Sequence, residues 1–202
     1  MKRAWIAAAA SAVALLGCAH GKGDGWQTLI DGDQGLENFE RVGDANWRGE
    51  GGAIVADRGK SGFLVTKNSY RDFQVRAEFW AEGDTNSGVF IRCDSKDQIN
   101  AKNCYEVNIW DTRPDPKFGT GAIVDVKPVS VPLKVRAGGK WNTYEISAKG
   151  SQLTVKLNGV ETAVAQDGRH VEGPFGLQYA TGGINGAQGG PIKWRKVQVR
   201  SL

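Results

Sequence analysis

The chain has 202 residues, 26 of them basic and 22 acidic, for a formal net charge of +4 at pH 7. Part of that excess sits at the extreme N-terminus. The remaining lysines and arginines are interspersed with acids and form no blocks, so no nucleic-acid partner is implied, and the length suits a single domain with its own core.

Lys2 and Arg3 precede an uninterrupted small and apolar run over 4–17, the pattern of a secretory signal and too short for a stable membrane span. The run ends in Leu15-Leu16-Gly17-Cys18, which resembles the lipobox of bacterial lipoproteins. That resemblance implies a signal peptide over 1–17, lipidation of Cys18 and attachment to the membrane through the lipid. Ala19 is the kind of residue that does not retain such proteins at the inner membrane, so the expected location is the outer membrane, facing the periplasm. Residues 18–25 then form a lipidated cysteine and flexible tether, HGKGDG having no apolar residue to pack, and 26–202 a single domain.

Of three cysteines, Cys93 and Cys104 remain once Cys18 is lipidated. In an oxidising compartment the pair reads as a disulfide closing the loop DSKDQINAKN, which contributes roughly 3 kcal/mol at most in the chain-entropy model. A metal site is the rival reading, without a CxxC spacing or a neighbouring histidine to support it.

Short alternating runs follow one another along the chain, separated by Gly, Asn, Asp and Pro. In DFQVRAEFW (72–80), Phe73, Val75, Ala77 and Phe79 share one face, opposite Gln74, Arg76, Glu78 and Trp80. Residues 88–93, 105–111, 143–148, 152–157 and 192–202 repeat the pattern. Asn158-Gly159 between LTVKL and VETAV is a hairpin signal. No capped helical periodicity runs beyond the signal, and the whole predicts an all-β, two-sheet sandwich. The irregular stretch 113–136, with four prolines, reads either as a wall of a site or as a surface excursion.

The polar row in YEVNIWD carries the chemistry. Alternation sends Glu106, Asn108 and Trp110 to the face opposite Tyr105, Val107, Ile109 and Asp111. Laid side by side, the neighbouring strands would put Arg76, Glu78, Arg92, Glu106 and Asn108 on one face of one sheet. Acid, amide, guanidinium and aromatic together suit a sugar, whose hydroxyls need polar partners and whose ring face needs an apolar one. For Arg76 and Glu78 cross-strand ion pairing is the simpler reading. Asp111 lies at a strand end and reads equally as an active group or a turn residue, and Asn86 in DTNSG is likewise open. Gln178 faces away from the apolar row of Phe175, Leu177 and Tyr179 and so needs a polar partner or a ligand. There is no GxSxG elbow, Walker loop, dinucleotide-binding glycine pattern or zinc-type cluster. The two histidines, His20 in the tether and His170 in a polar turn, lie away from the row, so any catalysis rests on carboxylates.

The succession WQTLIDGDQGLENFE, YRDFQVRAEFW, NSGVFIR, YEVNIWD, WNTYEI, LNG and GPFGLQ resembles the 3-keto-disaccharide hydrolase family over nearly all of the chain after the tether. The resemblance implies a concanavalin-like jelly roll and cleavage of a glycoside already oxidised to its 3-ketone by a partner sugar oxidoreductase. It assigns Glu106 as base or acid, Asp111 as its partner and Arg92 as enolate stabiliser. Asn86, Asn108, Trp110 and Gln178 would hold the keto-sugar or oligosaccharide. A carboxylate-held divalent ion is the alternative electrophile to Arg92, and no other cofactor is implied. The chain departs from the family where Asn108 replaces a frequent glutamine, and where Tyr179-Ala180-Thr181-Gly182 lacks a frequent histidine. A carbohydrate-binding protein without catalysis is the alternative.

Overall fold

The computed structural model describes residues 25–130, 136–181 and 189–202. The signal, Cys18, most of the tether and most of the glycine-rich stretch GGINGAQGG lie outside the described residues. Among the described residues thirteen strands run in chain order: β1 (Gln27–Asp31), β2 (Phe39–Gly43), β3 (Arg48–Glu50), β4 (Ala53–Ala56), β5 (Gly62–Thr66), β6 (Phe73–Ala81), β7 (Ser87–Ile91), β8 (Tyr105–Ile109), β9 (Lys140–Lys149), β10 (Gln152–Leu157), β11 (Val160–Gln166), β12 (Gly176–Tyr179) and β13 (Ile192–Ser201). They form two antiparallel sheets, as the alternation predicts. The larger runs β11-β10-β9-β6-β13-β4-β3, with β1 also on β13, and the smaller runs β2-β5-β12-β7-β8.

The alternation seen in the sequence decides which side chains meet. Phe73, Val75, Ala77 and Phe79 of β6 turn inward with Tyr144 and Ile146 of β9, against Val89 and Ile91 of β7, Val107 and Ile109 of β8, and Leu177 and Tyr179 of β12. Asn158 and Gly159 join β10 to β11 with φ of 51° and 80°, both positive, which is what the tight hairpin turn requires. The two cysteines are joined as a disulfide, Cys93–Cys104.

Strands β7 and β8 are buried on both faces. The core covers one. On the other, Val65, Phe90, Ile99 and the disulfide form a second apolar cluster over part of the small sheet. The excursion after β8 folds back beside it: Ile123 pairs antiparallel with Val107, and Val124 N donates to the Glu106 carbonyl at 2.9 Å. The stretch read as irregular thus satisfies the edge of β8 with its own backbone.

Arg92 leaves the strand pattern immediately after β7, with φ of 52°. Its side chain is 1% exposed, and the guanidinium donates to the carbonyls of Arg71, Gly150 and His170 and to Asp72 Oδ1. One buried cation thereby ties three chain segments remote in sequence, and these bonds hold the left-handed backbone in place. Replacement by methionine leaves these acceptors, the buried His170 carbonyl among them, without their donor. A loss of about 1–3 kcal/mol in urea unfolding is expected; a variant as stable as the parent would remove this clasp from the account of the fold.

Candidate active site

The outer face of the small sheet is built around a glycine. Gly88 of β7 is paired with Asn108 of β8. Leu177 of β12 is paired with Val89, so Gln178, one residue further on, flanks Gly88 from the other side. Glycine leaves the floor between the two amides open: a Cβ there would lie 3.6 Å from Glu106 Cγ and 3.0 Å from the Val107 carbonyl oxygen. Glu106, next along β8, Trp110 just past its end and Asn86 just before β7 continue the same face by alternation.

These polar groups are underused by the protein itself. Asn108 is fully buried and donates through its amide nitrogen to the Phe118 carbonyl at 2.6 Å, yet its Oδ1 has no partner among the described residues. The same holds for Gln178 Oε1, Trp110 Nε1 and Thr112 Oγ1. A buried acceptor without a donor costs about 1–3 kcal/mol, so two of them beside one another mark a place where a hydroxylated ligand can repay the loss. Glu106 is 9% exposed. Burial pushes its carboxyl up to about 7, with Arg113 opposing and Asp125 reinforcing the shift. Its titration therefore falls near neutrality, where a group can both take and return a proton. Arg113 also sits over the Trp110 ring, 5.6 Å from its centroid.

Four placements differ from the sequence reading. Arg76 and Glu78 belong to the large sheet, where they face Glu145 at 3.7 Å and Arg195 at 2.6 Å as ion pairs of the simple kind. Arg92 does not share the Glu106 face, because its positive φ turns it out of the alternation and its donors are committed to backbone carbonyls. Asp111 stands apart from the row as well: Oδ1 accepts from Thr120 Oγ1, and its oxygens accept the N–H groups of Ala137 and Gly138. His170 is buried, with Nδ1 2.9 Å from Asp94 Oδ1, and stacks edge-on to Tyr105 on the inward side of β8. It is not the residue of a polar turn. Arg113 is the cation that sequence reading missed. It lies in a proline-flanked loop with no periodicity, and its only signal was closeness to the end of YEVNIWD. Among the described residues no three His, Cys, Asp or Glu side chains converge on a metal position.

A two-sheet antiparallel sandwich with this strand order is a jelly roll, and an acid, two amides and a tryptophan lie across one face of its smaller sheet. Residues 25–200 match the family described as the 3-keto-alpha-glucoside-1,2-lyase-like domain, and the chain belongs to that family. Among solved structures it is similar to a candidate glycosyl hydrolase from Parabacteroides distasonis, with 25% identity, a TM-score of 0.68, and 88% of this chain and 99% of the other covered. It also shares its fold with the carbohydrate-binding module CBM66 from Bacillus subtilis, at 19% identity and a TM-score of 0.53, over 88% and 96% of the two chains. A protein with a galectin-like fold from the same organism matches at 8% identity and a TM-score of 0.55, over 86% and 93%. No protein in the curated comparison matches the chain. Family and neighbours together support a carbohydrate-related function.

The raised pKa has a stability consequence of definite sign. Glu106 binds its proton more tightly folded than unfolded, so its contribution is fully present below pH 4.5 and is lost as pH rises through about 7. The loss amounts to about 3 kcal/mol. Thermal midpoints of the wild type should fall over that window relative to Glu106→Gln; parallel curves would place the carboxyl in water.

Proposed function

We propose that the protein cleaves 3-keto-glycosides by elimination and hydration, with Glu106 as the proton-transferring carboxylate. The observation that carries this reading is a buried acid, its carboxyl pushed up to about 7, on the same sheet face as two unpaired amide acceptors. A ketone at C3 acidifies the C2 proton. Glu106 takes that proton, the electron pair becomes the C2–C3 enolate, and the enolate expels the C1 oxygen, to which Glu106 returns the proton. Water then adds at C1 of the enone and C2 regains a proton. Asn108 Oδ1 and Gln178 Oε1 accept from sugar hydroxyls, and the sugar ring lies against Trp110. Arg113, the cation acting on Glu106, takes the enolate-stabilising role that sequence reading gave to Arg92. A divalent ion is the alternative electrophile, and chelation tests it. The substrate implies a sugar 3-oxidoreductase upstream, and the LLGC stretch implies a lipid-anchored enzyme facing the periplasm.

The chemistry is read by mass spectrometry of 3-keto-disaccharides and their unoxidised parents, with and without chelator. Cleavage confined to the keto forms is expected. Glu106→Gln should lower kcat by about 10²–10⁴ while binding stays within about tenfold. As a base, Glu106 must be ionised, so activity rises with pH through about 7; a descending limb there would make it the acid instead. The unpaired amides and Trp110 also fit a protein that holds sugar without cutting it. In that case no substrate is cleaved, Trp110→Ala destroys binding, and Glu106→Gln changes affinity only.

A further inference from the structure

The outer face of the large sheet has no part in that chemistry, and its composition is unusual. Strands β6, β9 and β13 together carry seven basic residues and two acids. Both acids face arginines, Glu78 with Arg195 and Glu145 with Arg76. Lys193 and Arg200 instead lie over tryptophan rings, Trp80 at 4.8 Å and Trp26 at 4.6 Å.

The tryptophans stand at the two ends of this face. Trp26 lies where β1 begins, held between Arg76 and Arg200. At the other end Trp80 of β6 is paired with Trp141 of β9 on one side and Lys193 of β13 on the other. The same row continues through Val55 to Arg48. From the Arg200 level to the Lys193 level is about 20 Å along the strands. Trp141 is 37% exposed, and beside it a depression of about 410 Å³ opens between Val55, Trp141, Lys193 and Arg48, the last neutralised by Glu50 and Asp57 on the same rim.

A net basic face whose tryptophans and their stacked cations stand at both ends, with Lys196 between them, matches a phospholipid interface, where indole rings sit at headgroup level and lysine and arginine meet the phosphates. The chain itself points the same way. Cys18, the proposed lipidation site, precedes Trp26 by eight residues, a reach of at most about 28 Å when extended. The tether therefore leads into the fold on this face.

We propose that the outer face of the large sheet, from Trp26 to Trp141, rests on the anionic phospholipid surface of the membrane that anchors the chain. The small sheet, with Glu106 on its own outer face, then opens away from the lipid. Docking in this way is independent of the anchor and of any sugar chemistry.

The test uses the chain from residue 19 onward, which keeps every described residue and carries no lipid. It is sedimented with vesicles of phosphatidylcholine alone and of equal parts phosphatidylcholine and phosphatidylglycerol. Binding to the anionic vesicles is expected, weakened at least about tenfold by molar salt and about tenfold by each of Lys193→Glu and the same change at Lys196, which is paired with Glu78 on this face. Brominated lipids should quench the tryptophan fluorescence of the unaltered chain, less so for Trp141→Phe, a readout that needs no charge variant to fold. Absence of binding to anionic vesicles at low salt, or equal binding to both vesicle types, overturns the proposal. Capture by polygalacturonate without vesicle binding also overturns it, and gives the face to an acidic glycan.

Discussion

The hydroxyl of Tyr144 is the point on which the geometry of the small-sheet face depends. It projects from β9 in the large sheet, fully buried, and donates to the carbonyl of Asn108 in the small sheet. The N–H of Gly121 lies 2.9 Å from that hydroxyl and 3.0 Å from the Asn108 carbonyl. One phenol thus fixes three things together: the spacing of the sheets, the height of β8 and the returning excursion that lies along it. Burial pushes the phenol far above its ordinary range, so it remains a donor at any pH the protein meets. Thr162 completes the arrangement by donating to the Gly121 carbonyl at 2.8 Å.

The shielding that this lattice of bonds provides is also what tunes Glu106. An acid on an open sheet face would keep an ordinary carboxylate pKa. Here the excursion after β8 and the disulfide-backed cluster remove water from that face, and the proton is held to about neutrality. The same shielding leaves Asn108 and Gln178 with unmatched oxygens. Local stability is given up at the positions that the proposed ligand would contact, a common trade at binding sites.

Much of this was legible in the sequence, for a definite reason. Period-two alternation states which side chains of one strand share a face, so the Glu106, Asn108 and Trp110 row and the inward set of β6 could be read directly. Alternation does not say which sheet a strand joins, and that is why Arg76 and Glu78 were grouped with the wrong row. It also fails when a residue leaves the strand: the positive φ of Arg92 follows directly after Ile91, and nothing in NSGVFIR signals it. The early strands β1 to β5 are short and spaced by glycines, and their runs are too brief to carry a period. Arg113 and Asp125 act on Glu106 from an aperiodic segment, where only the folded chain can place them.

The position of β13 has a consequence for how the protein comes into being. It is the last strand in chain order, yet it lies inside the large sheet, with β6 on one side and β4 and β1 on the other. Until it is synthesised, β6 has one open edge, and β1 and β4 lack their main partner. Contacts so distant in sequence make folding slow and late. The large sheet therefore cannot close until nearly all of the described strands have been made.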